Sequence, residues 1–294
     1  MTFSKISTVV IPIAGMGTRF LPITKAVSKE MLNLLDRPLI DYAFNEAKEA
    51  GIKKFIIVAD KENKLPIKYF SKNKRLDKFL IEQGKHKLLQ KVNNSNLIKS
   101  EIKLVIQNKP SGLGNAILRT EKYIGKKDFS VLLPDDLILG NNCLKELIDV
   151  YNKKKSNVIG VMEVEKKDVN KYGIIKHKES KSRTLKVIDL VEKPNVKLAP
   201  SNLAVVGRYI LKNSIFDYLK KIKKGNGGEF QLTDAISLSN KTVNNWGHKF
   251  TGTRYDCGSK IGFFSAQLAL ALVNKEINKD VKKIIKKVGK KIWN

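Results

Sequence analysis

An α/β fold built on a mixed, mostly parallel central sheet is what the amino-acid sequence predicts, on three observations. Apolar runs of strand length alternate with stretches of helical periodicity along the chain. The first run, Val9-Val10-Ile11-Pro12-Ile13, breaks at once into the glycine loop Ala14-Gly15-Met16-Gly17-Thr18-Arg19. A helix and a second apolar run follow it, and a strand–helix–strand unit of this kind requires parallel strands.

The elements follow in order. Pro38 to Ala50 carries Ile40, Ala43, Phe44 and Ala47 on one helical face and is closed by Gly51. Ile52 to Val58 reads as the second strand. Charged helical stretches around Leu76 to Leu89 lead to a polar turn at Asn93-Asn94-Ser95-Asn96, an excursion from the sheet. Ile102 to Ile106 resumes a strand, and Gln107 to Gly114 forms a second glycine loop before a helix over Asn115 to Tyr123. The strand Phe129 to Leu133 ends in Pro134-Asp135-Asp136. The second half has a helix at Leu144 to Tyr151. Strands are predicted at Val158 to Val164, Gly173 to Lys176, Lys186 to Val191, Leu203 to Leu211 and Trp246 to Phe250. Further helices fall at Ile215 to Lys223, Glu229 to Leu238, Ile261 to Val273 and Val281 to Ile292, with a turn at Asn226-Gly227-Gly228. With no internal repeat and no long linker, residues 1–294 read as one domain. Within it, 1–150, 151–260 and the helical 261–294 follow one another as successive parts.

Composition narrows the function classes. At 294 residues the chain has ample length to bury a core, and no apolar run approaches the ~20 residues of a membrane span. Met1 to Thr8 lacks the apolar segment of a signal peptide, so a cytoplasmic protein with no membrane partner is expected. Cys143 and Cys257 lie in no CxxC pair and read as reduced packing residues. The net charge of +29 is of the size a nucleic-acid binder shows. Yet the lysines are scattered and only seven of the 57 basic residues are arginine, so no nucleic-acid partner is expected. A field of this sign would still steer polyanionic substrates.

The residues that carry chemistry stand at strand ends. A strand that ends in small residues lets backbone N–H groups approach an anion, because glycine has no Cβ in the way. Arg19, Lys25 and Lys29 place cations nearby. The alternative is an ordinary turn with solvated lysines. Asp135-Asp136 could hold a hard cation such as Mg²⁺, or cap a surface loop. Asp256 has the same two readings, metal or helix N-cap. In Glu192-Lys193-Pro194 neighbouring strand residues point to opposite faces, so an acid and a base could serve two ligand groups, or simply form a surface turn. His86, His177 and His248 share no metal-ligand spacing, and there is no GxSxG, Walker A or Cys–His arrangement. The first loop lacks the third glycine of the dinucleotide fingerprint. Chemistry without a protein nucleophile fits best, in which the protein positions and neutralises phosphates.

At this point the sequence resembles the bacterial UTP–glucose-1-phosphate uridylyltransferases among the sugar-1-phosphate nucleotidyltransferases. The likeness runs from Ala14 to Lys25 and Lys29-Glu30-Met31-Leu32, through Gln107, Gly112-Leu113-Gly114, Leu133-Pro134-Asp135-Asp136 and Tyr172-Gly173-Ile174. It continues through Glu192-Lys193-Pro194, Ser201-Asn202-Leu203-Ala204, Gly207-Arg208-Tyr209, Gly228 to Ala235, and Arg254 to Lys260. The resemblance implies a Rossmann-like nucleotidyltransferase fold and the reaction of UTP with glucose 1-phosphate to UDP-glucose and diphosphate, assisted by Mg²⁺. It implies that Ala14, Gly15, Gln107 and Gly112 hold the base, with Gly17 and Thr18 in the same nucleotide loop. Arg19 and Lys29 would cradle the β and γ phosphates, Asp135 would bind metal with Asp256 helping, Gly173 and Glu192 would bind glucose hydroxyls, and Lys193 would grip the sugar phosphate. Arg19, Lys29, Asp135 and Lys193 are thereby the expected catalytic residues, and a homodimer or homotetramer the expected assembly. The resemblance also implies a nucleotide-binding part over 1–150, a sugar-phosphate-binding part over 151–260, and C-terminal helices over 261–294 that could carry oligomer contacts. Ser28 and Asn33 stand where the family usually has proline, and a serine before the lysine is familiar from the related thymidylyltransferases. The alternatives are a neighbouring enzyme with another sugar phosphate or dTTP, and a basic nucleic-acid-binding protein.

Overall fold

The computed structural model describes residues 6–97 and 101–292. The first five residues, on which the expectation of no apolar leader partly falls, lie outside these.

A nine-stranded sheet forms the centre, built from β1 (Thr8–Ile13), β4 (Lys54–Ala59), β5 (Ile102–Ile106), β6 (Phe129–Leu132), β8 (Asn157–Glu163), β9 (Gly173–His177), β10 (Thr184–Glu192), β11 (Leu203–Leu211) and β12 (Asn245–Lys249). Their order across the sheet is β5-β4-β1-β6-β11-β8-β12-β10-β9. Two small ladders lie outside it: β2 (Asn33–Leu34) with β3 (Arg37–Pro38), and β7 (Asp136–Leu139) with β13 (Thr253–Asp256). β5, β4, β1 and β6 run parallel, so their carboxyl ends and the loops that leave them share one edge. Beyond β6 the neighbours are antiparallel except for β8 with β12. There β9 and β10 follow each other through a short connection, which suffices for antiparallel strands but not for parallel ones. β9 also meets β11 at Ile174 and Ala204, so this half of the sheet curls back on itself.

Helices cover both faces, and strand alternation assigns residues to each. Val10, Ile56, Val58 and Val131 pack with α5 (Leu113–Leu118), α8 (Ile215–Leu219) and α9 (Leu232–Ser239). Val9, Ile11, Phe55 and Ile57 pack on the other face with α1 (Leu39–Glu49) and α7 (Cys143–Lys154). Burial on both faces explains why these strands read as continuous apolar runs. On α1 the stripe Ile40, Ala43, Phe44 and Ala47 is buried, and Phe44 stacks between Phe55 and Phe70 at 4.6 and 3.9 Å. The excursion is α2 (Leu65–Phe70), α3 (Lys74–Glu82) and α4 (His86–Ser95), with α4 absorbing most of the expected polar turn. The described residues end in α10 (Lys260–Val273), capped by the Ser259 hydroxyl, and α11 (Asn278–Ile292).

Two expected helices differ for visible reasons. The helix expected over 115–123 is α5 and then α6 (Glu121–Ile124), divided at buried Thr120, whose hydroxyl donates to Ile117 O at 2.7 Å. The helix expected from Glu229 starts at Leu232, because Glu229 and Gln231 are extended and Phe230 between them pairs by backbone with the second glycine loop. Phe230 N donates to Ser111 O at 2.9 Å, and Gly114 N donates to Phe230 O at 2.8 Å.

Candidate active site

The shared edge of β1, β5 and β6 meets the ends of β9, β10 and β13 around a cavity of about 300 Å³. Arg19, Asp135, Gly173, Glu192, Lys193 and Asp256 line it, drawn from five separate segments of the chain. Lys29 joins them through its ammonium, which donates to Asp135 Oδ2 at 2.5 Å. Lys25 is exposed on the preceding 3-10 turn, so of the two lysines it is Lys29 that reaches the carboxylate.

Asp135 sits in the tight connection from β6 to β7. Its carbonyl accepts from Cys257 N at 2.7 Å, which brings the end of β13 against it. The register of β7 and β13 then sets Asp256 opposite Asp136. Asp136 itself faces inward as a clamp: its Oδ2 accepts from Gly207 N at 2.7 Å and its Oδ1 from Arg254 Nε at 2.5 Å. The Arg254 guanidinium also donates to the Tyr172 hydroxyl at 3.2 Å and stacks over that ring. From below, fully buried Arg208 ties the loop to α1. It donates to Glu46 Oε2 at 2.7 Å, Leu133 O at 2.8 Å and Asp136 O at 2.6 Å.

The electrostatics follow from these contacts. Burial opposes the Lys29 charge, but Asp135 and Glu30 outweigh it and hold the ammonium above its usual range. Burial likewise opposes the Asp135 carboxylate, and Lys29 reverses that, so Asp135 stays ionised below the usual range. Glu30 is buried beside them, and burial pushes its carboxyl up to about 7.

On the opposite wall Glu192 ends β10 directly across from Gly173, which starts β9. Thr233 Oγ1 donates to Glu192 Oε2 at 2.9 Å and so fixes the carboxylate. Burial raises Glu192, with Thr233 and Lys193 pulling the other way. A Cβ on Gly173 would stand 2.9 Å from Thr233 and 3.1 Å from Glu192, so no larger residue fits there. Lys193 holds a φ of +46°, a left-handed conformation that costs a non-glycine residue of order 1 kcal/mol. Strain of this kind persists where surrounding structure aims a side chain, and its N–H bonded to Tyr172 O at 3.0 Å does the aiming.

The nucleotide-loop residues form an adjoining rim rather than lining the cavity. Ala14, Gly15, Gly17 and Thr18 leave the end of β1, and Gln107 and Gly112 leave the end of β5. Gly17 serves the turn, with φ of +61° and its carbonyl accepting from Thr24 Oγ1 at 2.9 Å. Gln107 is buried, and its amide donates to Asn115 Oδ1 at 2.9 Å and Gly112 O at 3.4 Å. Gly112 has φ of +99°, and a Cβ there would stand 2.6 Å from Phe230 O, so this loop tolerates glycine alone. Around Gly15, by contrast, a Cβ would meet nothing within 4 Å.

The residues fit a small hard cation. A Cβ on Gly258 would stand 3.0 Å from Asp256 Oδ1, 3.3 Å from Asp135 Oδ2 and 3.4 Å from Arg19 Nη1, so glycine leaves an open cradle between two carboxylates. Among the described residues no group of three or more His, Cys, Asp or Glu side chains could close around a metal. Two carboxylates suffice for Mg²⁺, which keeps waters and takes substrate phosphate oxygens.

Comparisons with known proteins identify the family. The nucleotidyl transferase family model matches residues 8–271. The chain belongs to the nucleotidyl transferase family. A curated family member, a UTP–glucose-1-phosphate uridylyltransferase of Staphylococcus saprophyticus, is 43% identical over 274 residues, covering 93% of this chain and 94% of the relative. Among solved structures, UDP-glucose pyrophosphorylase from Acinetobacter baumannii superposes with a TM-score of 0.88 at 36% identity, over 96% of this chain and 99% of that one. A UDP-glucose pyrophosphorylase in complex with UDP-glucose gives 0.81 at 39% identity, over 90% and 98%. Within this family fold, Arg254, Tyr172, Thr233 and Arg208 are site-building residues to which sequence reading assigned no role. Arg254 lies two residues before Asp256, a spacing that puts the two on one face only once β13 is known to be a strand.

Proposed function

We propose that this nucleotidyl transferase makes UDP-glucose and diphosphate from UTP and glucose 1-phosphate. The observation that carries the reading is the meeting of Lys29 and Asp135 with Glu192 and Lys193 around one cavity: a phosphate half and a sugar half face each other. A phosphate oxygen of the sugar phosphate attacks the α-phosphorus of UTP, that P–O bond forms, the bond from the α-phosphorus to the bridging oxygen breaks, and diphosphate leaves. No protein nucleophile is needed. Glu192, oriented by Thr233, accepts from glucose hydroxyls, and the Lys193 ammonium holds the attacking phosphate. Arg19 and Lys29 face the β and γ phosphates and neutralise the leaving group. Gly15, where the protein itself leaves room for a side chain, keeps backbone N–H groups open to the uracil ring, with Gln107 and Gly112 at its edge. Asp135 and Asp256 would hold Mg²⁺, which would supply positive charge at the α-phosphate.

Ile261 and Phe264 stand exposed on α10, 74% and 63%, and fit the interface of a homodimer or homotetramer. Buried, unbridged Cys143 and Cys257 fit a reducing, cytoplasmic setting. The test is a substrate panel: purified protein with UTP, dTTP, ATP or GTP and several sugar 1-phosphates, with diphosphate release measured. UTP with glucose 1-phosphate is expected to give the highest kcat/KM. A higher value with dTTP, or with another sugar phosphate, would replace the assignment.

A further inference from the structure

The described residues end in a helix that neither the sheet nor the cavity uses. α11 packs mainly against α10. Val281, Ile284, Ile285 and Val288 recur at the i, i+3, i+4, i+7 spacing of one helical stripe. At about 100° per residue they cover an arc of roughly 100°. The stripe is not spent on the core: Ile284 is 58% exposed, Ile285 40% and Val288 47%. Lys279, Lys282, Lys283, Lys286, Lys287 and Lys290 occupy the opposite arc, all exposed, and Asp280 is the acid in the helix. Lysine is common throughout this chain, so charge alone would say little. Its clean separation from exposed aliphatic side chains is what sets α11 apart.

We propose that α11 docks the protein on the surface of an anionic lipid bilayer, with the aliphatic stripe in the headgroup boundary and the lysine arc toward the headgroups and water. A basic helix with a narrow apolar face lies in the interface plane, where apolar burial and attraction to anionic lipid act together. A second copy packed stripe to stripe would turn its lysine arc outward and leave those charges without an anionic partner, on a chain whose net charge is already +29. Nucleic acid would satisfy the lysines and leave the aliphatic side chains in water. The proposal departs from the expectation of no membrane partner, which rested on the lack of a spanning run; an interfacial helix needs neither that length nor that continuous apolarity. The proposal is independent of the reaction catalysed.

The experiment is co-sedimentation of the full chain with vesicles of phosphatidylcholine, with and without phosphatidylglycerol, at low and high salt. Binding is expected only with phosphatidylglycerol and is expected to fall as salt rises. Lys282→Gln with Lys286→Gln should weaken it about 30-fold, at about fivefold per lysine. Ile284→Gln with Ile285→Gln should abolish it while leaving enzyme activity and melting temperature unchanged. No binding to phosphatidylglycerol vesicles at low salt overturns the proposal, as does binding that survives the isoleucine changes. If those changes instead dissociate a soluble oligomer that never binds vesicles, the face belongs to a second copy. Equal binding to duplex DNA, insensitive to the isoleucine changes, would make the helix a general polyanion contact and also overturn it.

Discussion

Gly258→Ala tests the cradle between the two carboxylates with one methyl group. The added Cβ would stand 3.0 Å from Asp256 Oδ1, 3.3 Å from Asp135 Oδ2 and 3.4 Å from Arg19 Nη1. Gly258 is not among the positive-φ glycines, so alanine brings no backbone strain there. The nearest contact is a few tenths of an ångström too close, and the side chains it meets are partly exposed and can give way. The cost in stability is therefore at the low end of overpacking, about 1 kcal/mol. The cost in rate is expected to be much larger. The methyl fills the space between the carboxylates, which must part or turn by about 1 Å to admit a cation beside it, and a misplacement of that size costs about 100-fold. The assay is diphosphate release at saturating UTP and glucose 1-phosphate over a Mg²⁺ titration, with a thermal melt of the same preparation. The expected result is a kcat about 100-fold down, a Mg²⁺ requirement shifted upward, and a melt within a few degrees of the parent. Activity within threefold of the parent on an unshifted Mg²⁺ curve would refute the reasoning, because the methyl would then occupy space the reaction does not use.

Lys193→Ala should raise the KM for the sugar phosphate by 10- to 100-fold, since a charge-assisted hydrogen bond contributes about 1.5–3 kcal/mol, while the KM for UTP stays put. An unchanged sugar-phosphate KM in steady-state kinetics would remove Lys193 from that role. Arg208→Ala should cost about 3–5 kcal/mol in chemical denaturation, because it strands the carboxylate of Glu46 in a buried site and frees the Asp135 loop from α1. A loss under 1 kcal/mol would show the ion pair to be dispensable. Glu30 binds its proton more tightly in the folded state, about 7 against an ordinary 4.5, because burial disfavours its charge. That contribution is full below pH 4.5 and lost as pH rises through 7. Glu30→Gln should therefore gain on the parent as pH rises from about 5 to 8, by at most ~3 kcal/mol, and a pH-independent difference would contradict the burial argument. Ser28 has φ of −60°, which proline shares, and its buried hydroxyl has no partner. Ser28→Pro should raise the melting temperature by about 1–3 °C through a less flexible unfolded chain, and a lower melting temperature would show the backbone N–H to be needed.

How much of this was legible in the sequence depended on how local the cause was. β5 and β11 were read to the residue, because their apolar runs are bounded by polar turns and nothing distant redefines their ends. The helix expected from Glu229 was misplaced because the segment at Phe230 spends its backbone on Ser111 and Gly114, across more than a hundred residues. No periodicity records such a bond. β7 and β13 were missed for a related reason. Each is short and lies outside the main sheet, and the motifs that contain them, around Asp136 and Arg254, read as loops.

The same distinction explains which site residues could be named. Asp135 was read as an acid after an apolar run, whereas Glu192 and Lys193 read as a surface turn before a proline and took their expected roles from the family resemblance. Arg254 and Arg208 matter through partners that the fold supplies. Arg254 meets Asp136 across the β7–β13 ladder, and Arg208 meets Glu46 on a helix 162 positions away. Both arginines do one job. They neutralise the carboxylate and carbonyls behind Asp135, so that its own charge can face the cavity and Lys29. A strand-end aspartate is visible in a sequence. The buried cations that leave it free to bind something are visible only once the chain has folded.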